Sequence, residues 1–254
     1  MLRIKQGLKA LFLLLGFALY LTFFVINITY ADPSGVDVTN ISTETYASVP
    51  ESRQDLGGTI TTLTLDNTQQ DTAWKAYVGN ISGRLVLKNS GGWSIYEWFL
   101  NASASSGYVF VSRDASVDWT DVGCANSSVI DSEQALFGMV TADSDSINKT
   151  FNNTLHSSMD MSGPSLIGSN SCPSTATYVN GTAQTVNSNA HFQEILLYDR
   201  VGSNFVYGTF INQNAWGYDN NETTTLAYDF QLIVAENSSA SVGTVYYFYA
   251  DLSG

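Results

Sequence analysis

The chain is poor in basic residues. It has ten Lys and Arg against 23 Asp and Glu, and three of the ten, Arg3, Lys5 and Lys9, precede the first apolar run. Residues 32–254 therefore carry seven basic and 23 acidic side chains, a net charge of −16. Such a charge argues against nucleic acid and anionic lipid surfaces as partners, because both repel an acidic protein. We interpret it as a source of solubility and of repulsion between surface-displayed copies.

Histidine and cysteine are also scarce, with two of each. Neither His156 nor His191 lies in a His-Glu-x-x-His or other metal-ligand pattern; we expect His156 to be exposed and His191 to lie at a strand edge. Cys124 and Cys172 lack a Cys-x-x-Cys partner, which argues against a zinc site. An even cysteine count is typical of a disulfide in an exported chain, so we predict a Cys124–Cys172 bridge that contributes on the order of 3–4 kcal/mol.

Asparagine, by contrast, is abundant and patterned. Ten of the 20 asparagines stand in Asn-x-Ser/Thr with x never proline, where the content of Ser and Thr would give about four by chance. This tripeptide accepts N-linked glycan only in an exported chain and only where it faces solvent. Asn27 lies in the apolar segment, so we expect it to stay unmodified, and Asn180 with Gly181 predicts an exposed tight turn. The nine expected glycosylation sites are Asn40, Asn80, Asn101, Asn126, Asn148, Asn152, Asn180, Asn221 and Asn237.

The N-terminal residues indicate how the chain is exported. An uncharged stretch runs from Ala10 to Ala31, and the basic residues before it favour a cytoplasmic N-terminus. Residues 1–31 are therefore a signal peptide cleaved before Asp32 or an N-terminal transmembrane anchor, since the apolar helix is long enough to span a bilayer. A third interpretation is a pilin leader cut after Gly7, with the helix kept as a packing stalk.

Residues 32–57 are polar and weakly patterned, which predicts a stalk, and residues 58–254 predict one extracellular β domain. Short strands separated by Gly/Asn/Ser turns indicate an all-β fold, an antiparallel β-sandwich (Ig-like or jelly-roll-like) with one or two short helices after the N-terminal hydrophobic helix. Two hairpins are expected, one turning at 89–92 and one at 200–204. The apolar run 245–249 is expected in the middle of a sheet. The predicted strands are 59–65, 74–78, 84–88, 93–98, 108–111, 194–198, 205–211, 226–235 and 244–252.

Helical spacing is confined to one region, with segments 132–137 and 144–151. Ser144 is the expected N-cap of the second helix, and Asp145 would favour its dipole. Asn148 and Asn152 are four residues apart, which predicts a shared solvent-facing strip.

The residues that usually carry catalysis form no recognisable pattern in the sequence. No Gly-x-Ser-x-Gly elbow or phosphate-binding glycine loop occurs, and a glycosidase would have to use carboxylates such as Glu97, Glu194 and Asp199. A calcium site is open at 143–146, 114–121 or 219–222, although helix capping explains the first better. The tryptophans predict mostly core packing, with an exposed sugar-stacking row as the alternative. They are Trp74, Trp93, Trp98, Trp119 and Trp216.

One stretch has a distinctive pattern. Residues 74–83 read Trp-Lys-Ala-Tyr-Val-Gly-Asn-Ile-Ser-Gly, and Tyr96-Glu97-Trp98 follows. Over residues 71–252, with Trp119, Cys124 and Cys172, the chain resembles a family of uncharacterised archaeal secreted or membrane-anchored surface glycoproteins. The resemblance implies a cell-surface location without an assigned activity. It also implies that Trp74 and Trp98 serve the core and that Asn80 is a glycosylated turn residue.

The sequence therefore predicts a non-enzymatic, glycosylated cell-surface protein with a structural or adhesive role. No cofactor is expected beyond N-linked glycans. Its partners would be the membrane through residues 1–31, copies of itself or surface glycans. One alternative is a pilin-like filament subunit, assembled through the N-terminal hydrophobic helix or by strand exchange with the C-terminal strand. The other is a secreted carbohydrate-binding or glycan-cleaving module.

Overall fold

The protein was analysed as a computed structural model, which describes residues 32–39, 42–47, 49–100, 106–161, 166–212 and 228–253. In these residues the chain is mostly β, every strand pair is antiparallel, and the two α-helices are short. The helices are α1 (Ser127–Leu136) and α2 (Ile147–Thr150). The strands are β1 (Ser34–Gly35), β2 (Trp74–Gly79), β3 (Gly83–Lys88), β4 (Ser94–Leu100), β5 (Ser106–Ser112), β6 (Val122–Cys124), β7 (Met159–Asp160), β8 (Leu166–Ile167), β9 (Ser174–Ala176), β10 (Gln193–Asp199), β11 (Asn204–Phe210), β12 (Phe230–Ala235) and β13 (Tyr247–Ser253).

A central sheet organises the fold. Its strands run in the order β1-β13-β5-β11-β10-β6, and β9 also pairs with β10. Three two-stranded ribbons accompany it: β2 with β12, β3 with β4, and β7 with β8.

Both faces of the central sheet are buried, and each has its own apolar cluster. Successive residues of a strand point to opposite faces. In β10, Leu196 accordingly packs with α1 and β12 on one face, while Ile195 and Leu197 pack with Trp119 and Cys172 on the other. All three β10 residues are fully buried. This explains why residues 195–198, Ile-Leu-Leu-Tyr, form a continuous apolar run within β10 and do not alternate with polar residues.

The ribbon of β2 and β12 is attached to the central sheet by polar side chains. The Ile233 amide donates to Glu194 Oε2 at 2.9 Å, and Thr209 Oγ1 donates to the Gln231 carbonyl at 3.1 Å. Glu194 and Thr209 belong to β10 and β11, so they satisfy backbone groups of β12 that have no neighbouring strand there. Burial raises the pKa of Glu194 well above its usual range.

Helix α1 is held by a cap and by an ion pair. Asn126 Oδ1 accepts the Val129 amide at 3.1 Å and so starts the helix. Arg113, directly after β5, forks onto Glu133 with distances of 3.0 and 2.7 Å. Glu133 is buried, and a bidentate pair of this kind is among the stronger charge-assisted contacts.

The disulfide is present between Cys124 and Cys172, whose Cα atoms lie 4.9 Å apart. It joins β6 to the segment that leads into β9. Cys172 is fully buried in the second cluster. The bridge therefore fastens a long connecting segment over one face of the sheet.

Most strand predictions are confirmed. The two expected hairpins are β3–β4 and β10–β11. The strand predicted for 59–65 is wrong, because these residues are exposed and unpaired. The C-terminal strand β13 lies inside the sheet, next to β5, but its other neighbour is only the two-residue β1. That strand β1 falls within the predicted stalk, whose residues 42–47 and 49–57 are exposed.

The helix predictions are partly wrong. Helix α1 begins five residues earlier than expected, and α2 starts after Ser146 instead of Ser144, without a side-chain cap bond. Asn152 lies beyond the end of α2, so the predicted glycan strip is not a helix face. None of the helices in the described ranges has the length and apolar character of a membrane span. The predicted N-terminal helix falls outside those ranges.

We predict that Glu194→Gln changes how stability depends on pH. A carboxyl group whose pKa is higher in the folded than in the unfolded state contributes its full stabilisation of the fold below its unfolded-state pKa of about 4.3. This contribution is lost as pH rises. The wild-type free energy of unfolding should therefore fall relative to that of Glu194→Gln above pH 5, by up to about 1.4 kcal/mol per pH unit. Denaturant titrations from pH 5 to 8 measure this difference. Glu97→Gln, on the β3–β4 ribbon, is the control; a constant Glu194→Gln difference would refute the prediction.

Candidate interaction site

The predicted carboxylates lie in three different structural settings. Glu97 on β4 accepts Arg84 Nη1 at 2.9 Å, and Glu194 is buried under β12. Asp199 accepts the amides of Asp118, Val201 and Gly202, at 2.8–2.9 Å, and so closes the β10–β11 turn. Burial acts to raise the pKa of Asp199, but these hydrogen bonds and one from Asn204 lower it below its usual value. Each carboxylate thus has a structural role of its own.

His156 is buried, so the expectation that it is exposed is wrong. Its Nε2 accepts the amides of Ser171 and Cys172, both at 2.9 Å, and its Nδ1 lies 2.6 Å from the Ser157 carbonyl. These contacts require a neutral ring with the proton on Nδ1, since Nε2 must accept. Desolvation lowers the pKa of His156. The ring therefore positions the segment that carries Cys172, a role that no local pattern around His156 indicates.

His191 lies directly before β10 and is half-buried. Its amide donates to Gln184 Oε1 at 2.9 Å, and its carbonyl accepts Gln184 Nε2 at 2.7 Å. The edge position predicted from sequence agrees with this placement.

In the described part of the chain, no group of three or more His, Cys, Asp or Glu side chains is placed to hold a metal ion. In the 143–146 segment, Asp143 Oδ2 accepts the Val140 amide at 2.8 Å, and the Asp145 carbonyl accepts Trp74 Nε1 at 2.7 Å. In the 114–121 segment, Asp118 caps Thr120. The acidic turn at 219–222 lies outside the described residues.

Six of the nine predicted glycosylation sites are described. Asn80, Asn126, Asn152 and Asn180 are exposed, and Asn148 and Asn237 are half-buried. The remaining three, Asn40, Asn101 and Asn221, lie outside the described residues, as does Asn27.

Local geometry separates these sites further. Asn180 and Gly181 have φ of 48° and 68°, and the flanking Val179 and Thr182 exchange two backbone hydrogen bonds. This is the predicted tight turn. Asn126 uses Oδ1 for its cap bond, which leaves Nδ2, the atom that bonds the sugar, available to solvent. Asn148 instead uses Nδ2 to donate to Asp131 at 3.0 Å.

The tryptophans divide between core and surface. Trp119 is buried, and Trp74 packs partly buried against the first cluster. The core role expected for Trp98 is wrong, since it is 49% exposed, and Trp93 is 79% exposed. Trp216 lies outside the described residues.

The two exposed tryptophans of the described residues, Trp93 and Trp98, belong to one element, the β3–β4 ribbon. Cross-strand partners share a face, so the pairs Leu85–Trp98 and Leu87–Tyr96 form one apolar face. The rings of Tyr96 and Trp98 are 4.8 Å apart and tilted by 56°. On the opposite face, Phe99 is 74% exposed beside Arg84. Large apolar side chains that remain in solvent as a contiguous group mark an interaction surface.

The ribbon also differs in charge from the rest of the protein. Arg84 and Lys88 are two of the seven basic residues beyond residue 31, and Glu97 is the ribbon's one acid. A locally basic, apolar ribbon on an acidic protein is suited to an apolar partner with acidic flanks.

No protein-family model matches the chain, and no curated protein or solved structure matches it either.

We predict that His156 makes stability depend on pH in the opposite sense to Glu194. A histidine whose pKa is lower in the folded than in the unfolded state contributes its full stabilisation of the fold above its unfolded-state pKa of about 6.5. This contribution is lost as pH falls. The wild-type free energy of unfolding should therefore fall relative to that of His156→Gln, by up to about 1.4 kcal/mol for each pH unit below 6.5. Denaturant titration from pH 7.5 to 5 measures this. His191→Gln, at the other histidine, is measured alongside as the control substitution; parallel curves for wild type and His156→Gln would contradict the assigned role.

Proposed function

We propose that the chain is a glycosylated, non-enzymatic protein of the cell surface with a structural or adhesive role. The observation that carries the proposal is the β3–β4 ribbon, which presents a contiguous group of apolar side chains to solvent on an acidic protein. We further propose that it belongs to the archaeal surface glycoprotein family that its 74–83 stretch resembles, with residues 1–31 directing export or anchoring it in the membrane.

Two features support an extracellular location. Four sequons are exposed, and one of them, Asn180, sits in a tight turn where a bulky sugar meets little hindrance. The disulfide between Cys124 and Cys172 is of the kind that persists in oxidising compartments.

The roles of the acidic side chains support the non-enzymatic assignment. Glycoside hydrolysis needs two carboxyl groups facing one bond. Here Glu194 hydrogen-bonds the backbone of β12, Asp199 closes a turn, and Glu97 pairs with Arg84.

For the architecture, we propose an antiparallel β-sandwich in which the β2–β12 ribbon is the second layer. Leu232 and Val234 of β12 are fully buried in the same cluster as Leu196 and Tyr207 of the central sheet. An inner face shared between two β layers is the defining packing of a sandwich.

Carbohydrate binding is the rival interpretation, because exposed rings stack on sugars. Trp93, Tyr96 and Trp98 are the rings concerned. The tilt of 56° between Tyr96 and Trp98 does not give the flat platform that a sugar chain favours. The aliphatic neighbours Leu85 and Leu87 suit an apolar protein surface better.

We predict that native protein carries glycan at Asn80, Asn126, Asn152 and Asn180, because these sequons are exposed. Asn148 should be modified less, since its Nδ2 is bound to Asp131 and the residue is half-buried. Site-specific mass mapping of the native protein measures occupancy. Asn187 and Asn189, which stand outside any sequon, are internal controls. Occupancy at fewer than half of the nine predicted sites would refute the glycoprotein assignment.

A further inference from the structure

A strand-like segment of the chain has no strand partner. Residues 59–65 read Thr-Ile-Thr-Thr-Leu-Thr-Leu, a composition that strongly favours β structure. In the structure they form no strand, and Ile60 is 100% and Leu65 87% exposed. We call these residues the spare segment. A β-rich segment gains its hydrogen bonds only from a neighbouring strand, so its sequence is suited to a partner that the described residues of the same chain do not provide.

Among the described residues, the β3–β4 ribbon has a strand edge at which a further strand could pair. In the described part of the chain β4 pairs with β3 alone, which leaves its outer edge open to another strand. Strand β4 has seven residues, and so has the spare segment. A two-stranded ribbon with exposed apolar side chains is marginal by itself and gains stability from a third strand.

The side chains of the two elements also match. β-Branched residues beside aromatic rings are favourable cross-strand neighbours. The spare segment supplies Ile60 and four threonines, and β4 supplies Tyr96, Trp98 and Phe99. Leu63 and Leu65 share one face of the spare segment, so pairing would extend an apolar face of the ribbon.

We propose that the spare segment of one copy adds as an edge strand to β4 of a second copy. The inference rests on the proposed surface function, because it names the partner of the same ribbon. The segment carries no charge, which allows it to approach although residues 32–254 carry a net charge of −16. Asp66, directly after it, matches the basic ribbon with Arg84 and Lys88.

The contact made by this exchange is heterologous. Each copy offers one donor and one acceptor, and the two are different surfaces. Heterologous contacts of this kind generate rings or filaments. The filament alternative is thereby given a donor other than the C-terminal strand β13, which already pairs with β5 along its length and with β1 at two residues.

Proline substitution tests the pairing in the full-length protein held in mild detergent. Thr62→Pro removes a ladder donor in the middle of the spare segment, whereas Thr68→Pro places the same change in exposed chain outside it. We expect sedimentation to show self-association of wild type and Thr68→Pro, and association at least about tenfold weaker for Thr62→Pro. Association through residues 1–31 is common to all three. Equal association of wild type and Thr62→Pro would overturn the proposal.

Cysteine pairs identify which copy supplies the strand. One tagged protein carries Leu63→Cys, and a differently tagged protein carries Tyr96→Cys or Trp98→Cys in turn. Oxidation should link the two tags, and the control Leu56→Cys, also exposed but outside the segment, should link them at least about tenfold less. A third protein carries Leu63→Cys and Tyr96→Cys in one chain; a bond that forms within this chain but not between the two tagged proteins would overturn the proposal. Native protein that is found to carry no glycan would instead refute the proposed surface function. The association and cross-linking results would still test the strand pairing.

Discussion

The structure depends on a central sheet whose middle strands must be covered on both faces. Strands β10 and β11 carry fully buried side chains that alternate between two apolar clusters. Burying apolar area contributes roughly 25 cal/mol per Å², so an uncovered face would forfeit a large part of the folding free energy. The remaining described elements of the core are the covers: the helices and the β2–β12 ribbon on one face, and the disulfide-linked connections on the other.

Polar side chains help to hold these covers and the turns of the sheet in place. His156 fixes the backbone at Ser171 and Cys172, Asp199 closes the β10–β11 turn, and Glu194 completes a hydrogen-bond ladder for β12. Buried polar groups are stabilising only when they are satisfied. His156 and Asp199 are therefore occupied with backbone groups, and so is Glu194 Oε2, whereas Glu194 Oε1 is buried without a hydrogen-bond partner among the described residues. What is left for function is the surface that the sheet does not need, above all the β3–β4 ribbon.

The sequence predicted what depends on local pattern. Turn residues at 89–92 and 200–204, flanked by apolar runs, identified both hairpins, and Asn180 with Gly181 identified a tight turn. Contacts between distant residues were not readable: His156 bonds a segment 15 residues away, and Trp98 lies on a face that no described part of the chain covers. Residues 59–65 show most clearly what the sequence could not predict. A strand pattern sets the β propensity of a segment but does not show that a neighbouring strand exists.

Hydrogen exchange at two protein concentrations tests most directly whether the core is complete within one chain while an exposed strand edge pairs with a second copy. Peptides covering β10 and β11 should be equally protected at low and high concentration, because their partners lie in the same chain. Peptides covering residues 59–65 and β4 should exchange rapidly when dilute and gain protection together when concentrated. Protection of 59–65 that is already complete in dilute monomer, or absent in the concentrated assembly, would contradict the account.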